Sequence, residues 1–266
     1  MIPEYAIEGG RVDAQRLARQ ADVMRDATLS FLSRAGVASG WACLDLGCGD
    51  GHVTVELARA VGPNGRVVGV DIDAEALSVA REVADRAGVQ VQFRRGDATT
   101  LAEHNRFDLA YSRLLLGHLA DPVAALRAMR AAVKKGGVVA IEDLFTGTLR
   151  SDPPRKALDR LQDLYSATVR FYGGDPTIGP RLPALLAAAG LEEVQQETVS
   201  NGMATVDQKL FLVNLLDNMR VMMLAARVAT EAQLDKVKAD LDRAAREPDS
   251  VFHQARIHQV WGRRAQ

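Results

Sequence analysis

Cysteine is scarce in this chain. Among 266 residues there are two, Cys43 and Cys48, too few for a disulfide framework and without the C-x-x-C pair that begins a zinc site. An excess of one charge is missing as well. The 33 basic residues are balanced by 34 acidic ones and interspersed with them, so no general attraction for nucleic acid is expected. The five histidines lack H-x-x-x-H or similar ligand spacing, and no metal is predicted. No stretch offers the ~20 uninterrupted apolar residues of a membrane span. The opening Met1-Ile2-Pro3-Glu4-Tyr5 has neither a basic n-region nor an apolar h-region, so no signal peptide is evident and the cytoplasm is the expected location. Repeats, low-complexity tracts and flexible linkers are also lacking. Nearly half the residues are apolar, ample for a core.

What is present begins at Leu44-Asp45-Leu46-Gly47-Cys48-Gly49-Asp50-Gly51. A short apolar strand from Trp41 to Leu46 runs into a glycine-rich turn. A helical pattern follows with Val53, Leu57, Ala58 and Val61 on one side. Strand, glycine turn and helix open a nucleotide-binding α/β unit. The dinucleotide fingerprint G-x-G-x-x-G would need a third glycine where this chain has His52,. Asp45, close to the first glycine, would repel a diphosphate and would not repel a cationic ligand with an amino group.

The run Asp45-Leu46-Gly47-Cys48-Gly49-Asp50-Gly51 resembles the E/D-x-G-x-G-x-G loop of class I S-adenosylmethionine-dependent methyltransferases at every defined position. Four further blocks resemble the same family in order and spacing. Arg66 to Asp71 reads as a second strand ending in an acid, and the resemblance implies that Asp71, followed by Ile72, holds the ribose hydroxyls,. Gly96-Asp97-Ala98 resembles the turn that meets the adenine. Phe107 to Arg113 resembles the strand whose end, Ser112 and Arg113, lies under the methionine part. Val133 to Glu142 resembles the turn into the fifth strand. Cofactor contacts are thereby implied for Asp45, Gly47, Cys48 and Gly49 of the loop, and for Asp71, Ile72, Asp97, Ala98, Ser112 and Arg113 beyond it. In the leader, Tyr5 and Gln20 match residues that reach the cofactor's carboxylate end.

The expected fold is α/β: a doubly wound, seven-stranded, mostly parallel sheet, Rossmann-like, with an antiparallel last strand near Ala255 to Trp261 and inserted lid helices,. One domain is expected across 1–266. It divides into an N-terminal lid helix (1–36), a cofactor-binding core (37–145) and helical insertions (146–190 and 204–248) forming a substrate lid. Asp45, Asp71, Asp97 and Ser112 each end a predicted strand, so all four should meet at one sheet edge. Ser151-Asp152-Pro153-Pro154 reads as a helix start with a proline in the first turn. A further helix is expected from Thr177 to Ala189. Leu210 to Leu224 is apolar nearly all round. It reads either as a core or dimer-contact helix, or as a lid whose Met222 and Met223 line an adaptable pocket,. Glu231 to Arg246 alternates charge and reads as a solvated helical face.

Methyl transfer from a sulfonium is an in-line displacement of an already activated carbon, so positioning dominates and a base is needed only for acceptors of high pKa. His118 is a candidate base, although its surrounding segment resembles one found with diverse acceptors, which points to a structural role. Glu142 and Asp143 lie where they could bind substrate or cap a loop. Tyr165, Tyr172 and Asp175 sit where substrate contacts are expected, and the catalytic candidates are His118, Glu142 and Tyr172. The implied cofactor is S-adenosylmethionine and the implied acceptor an apolar or aromatic small molecule. The rivals are a non-methylating reaction on the same fold, a nicotinamide-dependent oxidoreductase, and a non-catalytic partner subunit, for which degraded motifs would be expected.

Overall fold

A computed structural model describes residues 14–266, with side chains from Arg16 onward. Helix α1 (Ala14–Arg34) leads into alternating elements: β1 (Ala42–Leu46), α2 (His52–Val61), β2 (Arg66–Asp71), α3 (Ala74–Ala87), β3 (Gln92–Arg95), β4 (Phe107–Arg113), α4 (Pro122–Ala132) and β5 (Val133–Phe145). Two of these helices start where the sequence supplies a side-chain cap. Asp73 accepts from the N–H groups of Glu75 and Ala76 to begin α3, and Asp121 accepts from Ala124 with Pro122 in the first turn of α4,. After β5 come β6 (Arg150–Asp152), α5 (Lys156–Phe171), α6 (Leu182–Ala188), β7 (Leu191–Val199), β8 (Gly202–Met203), α7 (Val206–Ala225), α8 (Glu231–Arg246), β9 (Val251–His253) and β10 (Arg256–Arg264).

The main sheet has seven strands in the order β3-β2-β1-β4-β5-β10-β7. The first five are parallel, and β10 runs antiparallel to both β5 and β7. This is the expected doubly wound architecture. The order reverses at β1 and β4, so the turns after these strands open a crevice on one edge. Two apolar cores flank the sheet, one under α4 and α6 (Leu126, Leu182, Leu186), the other under α1 and α2 (Phe31, Leu57, Trp261).

A third core lies outside the sheet. Leu161 and Leu164 of α5, Leu216 and Met219 of α7, and Leu234 and Leu241 of α8 pack together, closed by Phe252 of a small antiparallel sheet, β6-β9-β8. That small sheet was not anticipated. The segment 146–190 divides between cores: α5 joins this helical cap, whereas α6 packs under the main sheet.

Three local expectations are corrected. Pro153 and Pro154 do not sit in a first helical turn; β6 precedes them and α5 begins only at Lys156. The helix expected from Thr177 breaks into a single 3-10 turn, Gly179–Arg181, and the short α6. Pro180 and Pro183 each fit only an opening turn, since neither has an N–H to donate. Helix α8 is amphipathic and not merely solvated, for it buries Leu234, Val237, Leu241, Ala244 and Ala245. The apolar girth of α7 is consumed within the cap, where Met222 and Met223 are buried. That packing accounts for its buried side, while Val221 stays 52 % exposed.

Candidate functional site

A cavity of about 380 Å³ opens at the crevice and continues beneath the cap. Its first half is built by the loop after β1. Gly47 and Gly51 hold φ of +73° and +81°, a left-handed backbone that favours glycine. A Cβ on Gly47 would come within 2.9 Å of the Leu115 side chain, so the close approach of backbone to the cavity needs glycine there.

Asp71, at the end of β2, ties this loop in place. Its carboxylate accepts from Gly49 N at 2.8 Å and Asp73 N at 3.0 Å. Burial raises its pKa, against the pull of those two donors,. Asp71 lines the cavity, and each of its oxygens can accept a further bond, which suits a diol. Asp45 is 2 % exposed and accepts from the Thr54 hydroxyl at 2.6 Å. Burial pushes its pKa up to about 6, opposed by Thr54 and by the Arg113 guanidinium. Cys48, Gly49, Ile72, Ala98 and Arg113 also line this half. Asp97 does too, at the exposed rim, with one oxygen engaged by the Thr99 N–H and hydroxyl. From α1, Gln20 reaches the cavity and accepts from Arg16 at 2.8 Å.

Tyr5 lies outside the described residues. Ser112 is not brought to the cavity: its hydroxyl donates to Leu46 O at 2.8 Å, stapling β4 to β1. Glu142 is also elsewhere. It is fully buried and accepts from Thr28 at 2.8 Å, from Gln259 at 2.7 Å and from the Tyr111 hydroxyl. A carboxylate so occupied, walled off from the cavity, is a structural hub joining α1, β4 and β10. Asp143 accepts from Gly117 N and Leu144 N, the loop-holding role. Tyr172 packs at the end of α5 with its hydroxyl on Met222 O at 3.4 Å, away from the cavity. Asp175 holds the turn before α6 through Thr177 and Arg181.

The second half of the cavity is apolar. Leu144, Leu149, Leu161, Phe211, Leu212 and Leu215 line it. The α7 residues are thus Phe211, Leu212 and Leu215, one turn of one face, while Met222 and Met223 are buried away from it. The methionine-lined pocket is therefore corrected. His118 stands on the wall, its Nε2 3.2 Å from the Tyr165 hydroxyl. Burial, with Arg16 nearby, lowers the His118 pKa to about 4, so the ring is neutral at pH 7,. Thr146, Gln162 and Gln254 complete the polar lining of this half. Sequence reasoning missed them because they come from three separate segments with no shared spacing. Among the described residues no cluster of His, Cys, Asp or Glu could hold a metal ion, and no helix is long and apolar enough to cross a membrane.

A family profile described as "Methyltransferase domain" matches residues 38–178. The chain is 34 % identical over 194 residues to the 2-phytyl-1,4-naphtoquinone methyltransferase of Thermosynechococcus vestitus, covering 64 % of this chain and 81 % of that one. It is 36 % identical over 115 residues to a demethylmenaquinone methyltransferase of Staphylococcus aureus, covering 43 % and 47 % respectively. It spans about half the length of other curated relatives, 48 % and 57 %. A crystal structure from Bacillus halodurans overlays with a TM-score of 0.62 at 17 % identity, covering 89 % of this chain and 98 % of that one; this is a likeness of fold.

Proposed function

The chain belongs to the class I S-adenosylmethionine-dependent methyltransferase family, and from that premise we propose that it transfers a methyl group from this cofactor to an apolar or aromatic small molecule. The observation that carries the reading is one continuous cavity with two unlike halves, an acid-rimmed glycine loop and an apolar chamber.

The residues of the first half fit the cofactor. Asp71 suits the two ribose hydroxyls, Asp97 and Ala98 the adenine edge, Asp45 and Gln20 the amino-acid end, while the glycines leave room for close backbone contact. When bound, the sulfonium supplies an electrophilic methyl carbon. The chain's own task is to hold a nucleophile in line with it and keep water out. Leu161, Phe211, Leu212 and Leu215 supply that dry wall, so α5 and α7, with α1, act as the lid. His118, neutral and weakly basic, is assigned to orienting the acceptor through Tyr165 and not to removing a proton. His52 in place of the third fingerprint glycine argues against nicotinamide chemistry.

Calorimetric titration with S-adenosylhomocysteine, with NAD in parallel, tests the assignment. Micromolar binding of the former alone is expected; binding of NAD alone overturns it.

A further inference from the structure

The apolar chamber carries a fixed set of uncharged hydrogen-bond donors at the end formed by the segment after β5. Gln162 Oε1 accepts from Gly147 N at 2.9 Å and Leu149 N at 3.0 Å. Two backbone donors on one atom settle which end of the amide is oxygen. The Nε2 group and its two hydrogens are left for the cavity that Gln162 lines, and no described residue accepts from it. Thr146 adjoins this loop, 6 % exposed, and its hydroxyl meets no protein partner. Its backbone is held by its N–H donating to Pro176 O at 2.9 Å, so the residue stays on the chamber wall. Gln254 arrives from the other side, since Arg256 pairs with Phe145 and its N–H donates to the Thr148 hydroxyl. Gln254 Oε1 accepts from Asn201 at 3.3 Å, again leaving the amide hydrogens.

A buried donor without a partner costs about 1–3 kcal/mol; the Thr146 hydroxyl is one, and the Gln162 and Gln254 amides border the same cavity, so the three together make a recognition surface. The cavity's carboxylates, Asp45, Asp50, Asp71, Asp73 and Asp97, all lie in β1 and β2 or in the turns that follow β1, β2 and β3. The chamber end has none among the described residues, so an ammonium there would find no counter-charge.

The geometry points to a donor pole, formed by the side-chain amides of Gln162 and Gln254 and the Thr146 hydroxyl, that selects acceptors bearing a carbonyl or phenolate oxygen on an apolar frame and rejects ammonium acceptors. This rests on the methyl-transfer reading of the cavity.

Binding of acetylnaphthalene and of its isostere isopropylnaphthalene, substituted at the same ring position, tests it in the protein saturated with S-adenosylhomocysteine. The wild-type chain should prefer the ketone by about tenfold, and naphthylmethylammonium should bind more weakly than either. Gln162→Glu keeps both backbone bonds and replaces the donor with an acceptor, so the preference should vanish or invert. Thr146→Val, nearly isosteric, should shrink it about threefold. A preference near one in the wild type, or one unchanged in both variants, overturns the donor pole. S-adenosylhomocysteine titration separates the two failures. If it does not bind the wild-type chain, the methyl-transfer reading falls and the donor pole with it. If it binds while the ketone preference is indifferent to both substitutions, only the donor pole falls.

Discussion

The two halves of the cavity are built by opposite strategies. The sheet half is assembled from consecutive turns, and the contacts of its acids are close in sequence: Gly49 to Asp71, Asp45 to Thr54, Asp97 to Thr99. The cap half is closed by contacts that jump long distances: Arg19 to Asp207, Arg155 to Glu247, Lys209 to Ser250, Gln254 to Asn201. Local assembly concentrates the cavity's carboxylates around the glycine loop. Distant assembly shapes a chamber that can change without disturbing the loop.

The sharpest way to break this division is through Lys209. It is 1 % exposed, and its ammonium donates to Glu247 O, Ser250 O and the Ser250 hydroxyl, neutralising the C-terminal end of α8. Lys209→Met should cost about 3 kcal/mol of stability in denaturant unfolding, because three acceptors lose their donor. S-adenosylhomocysteine affinity of the folded protein should stay within about threefold. A parallel collapse of affinity would show the halves to be one unit.

On the sheet side, Asp71→Ala should weaken S-adenosylhomocysteine by about 2–3 kcal/mol in a calorimetric titration. Unchanged affinity would remove the ribose assignment and leave Asp71 as a loop fastener only.

Asp45 gives a smaller, pH-dependent effect. Its folded pKa of about 6 lies above the ordinary aspartate value of 3.8, so between these values the folded chain holds more protons than the unfolded one. Ionisation of this group therefore lowers stability as pH rises through that window. The same ionisation supplies the charge that an ammonium would pair with, so S-adenosylhomocysteine should bind about tenfold more weakly at pH 5 than at pH 7.5. Asp45→Asn should flatten the profile, and a variant with the wild-type slope refutes the pairing. His118 acts in the other direction on stability: its pKa is lowered, so its contribution is present above about 6.5 and is lost as pH falls toward about 4,.

Ser112→Ala is the mildest of the set. Loss of the bond to Leu46 O should cost about 1 kcal/mol of stability with less than about twofold change in cofactor affinity. A larger change in affinity would return Ser112 to the site.

These contrasts also explain what was legible in the sequence. The glycine loop and its acids obey a strand-turn-helix grammar within about thirty residues, so the doubly wound, mostly parallel sheet and the edge on which its acids meet could be read directly. Glu142 and Ser112 were misplaced because a position near a strand's end does not fix the face. Side chains alternate along a strand, and both of these turn toward neighbouring elements. The donor pole was illegible for another reason. Gln162 is aimed by the backbone of Gly147 and Leu149, a relation no periodicity encodes. The apolar run in α7 announced burial but not the partner, and Met219 and Met223 went to the cap core while Phe211 and Leu215 took the cavity.

The place of β10 has a consequence for synthesis. It lies between β5 and β7 and pairs with both, yet it leaves the ribosome after every strand it joins. Until it emerges, β7 has no partner in the sheet and the far edge of β5 stands open, a template for another chain. Gln259 is absent for that interval too, so Glu142 waits in the interior with one of its three donors still unmade. A nascent chain halted before β10 is thus predicted to be the aggregation-prone species, and one held by a chaperone until the final strand slots home.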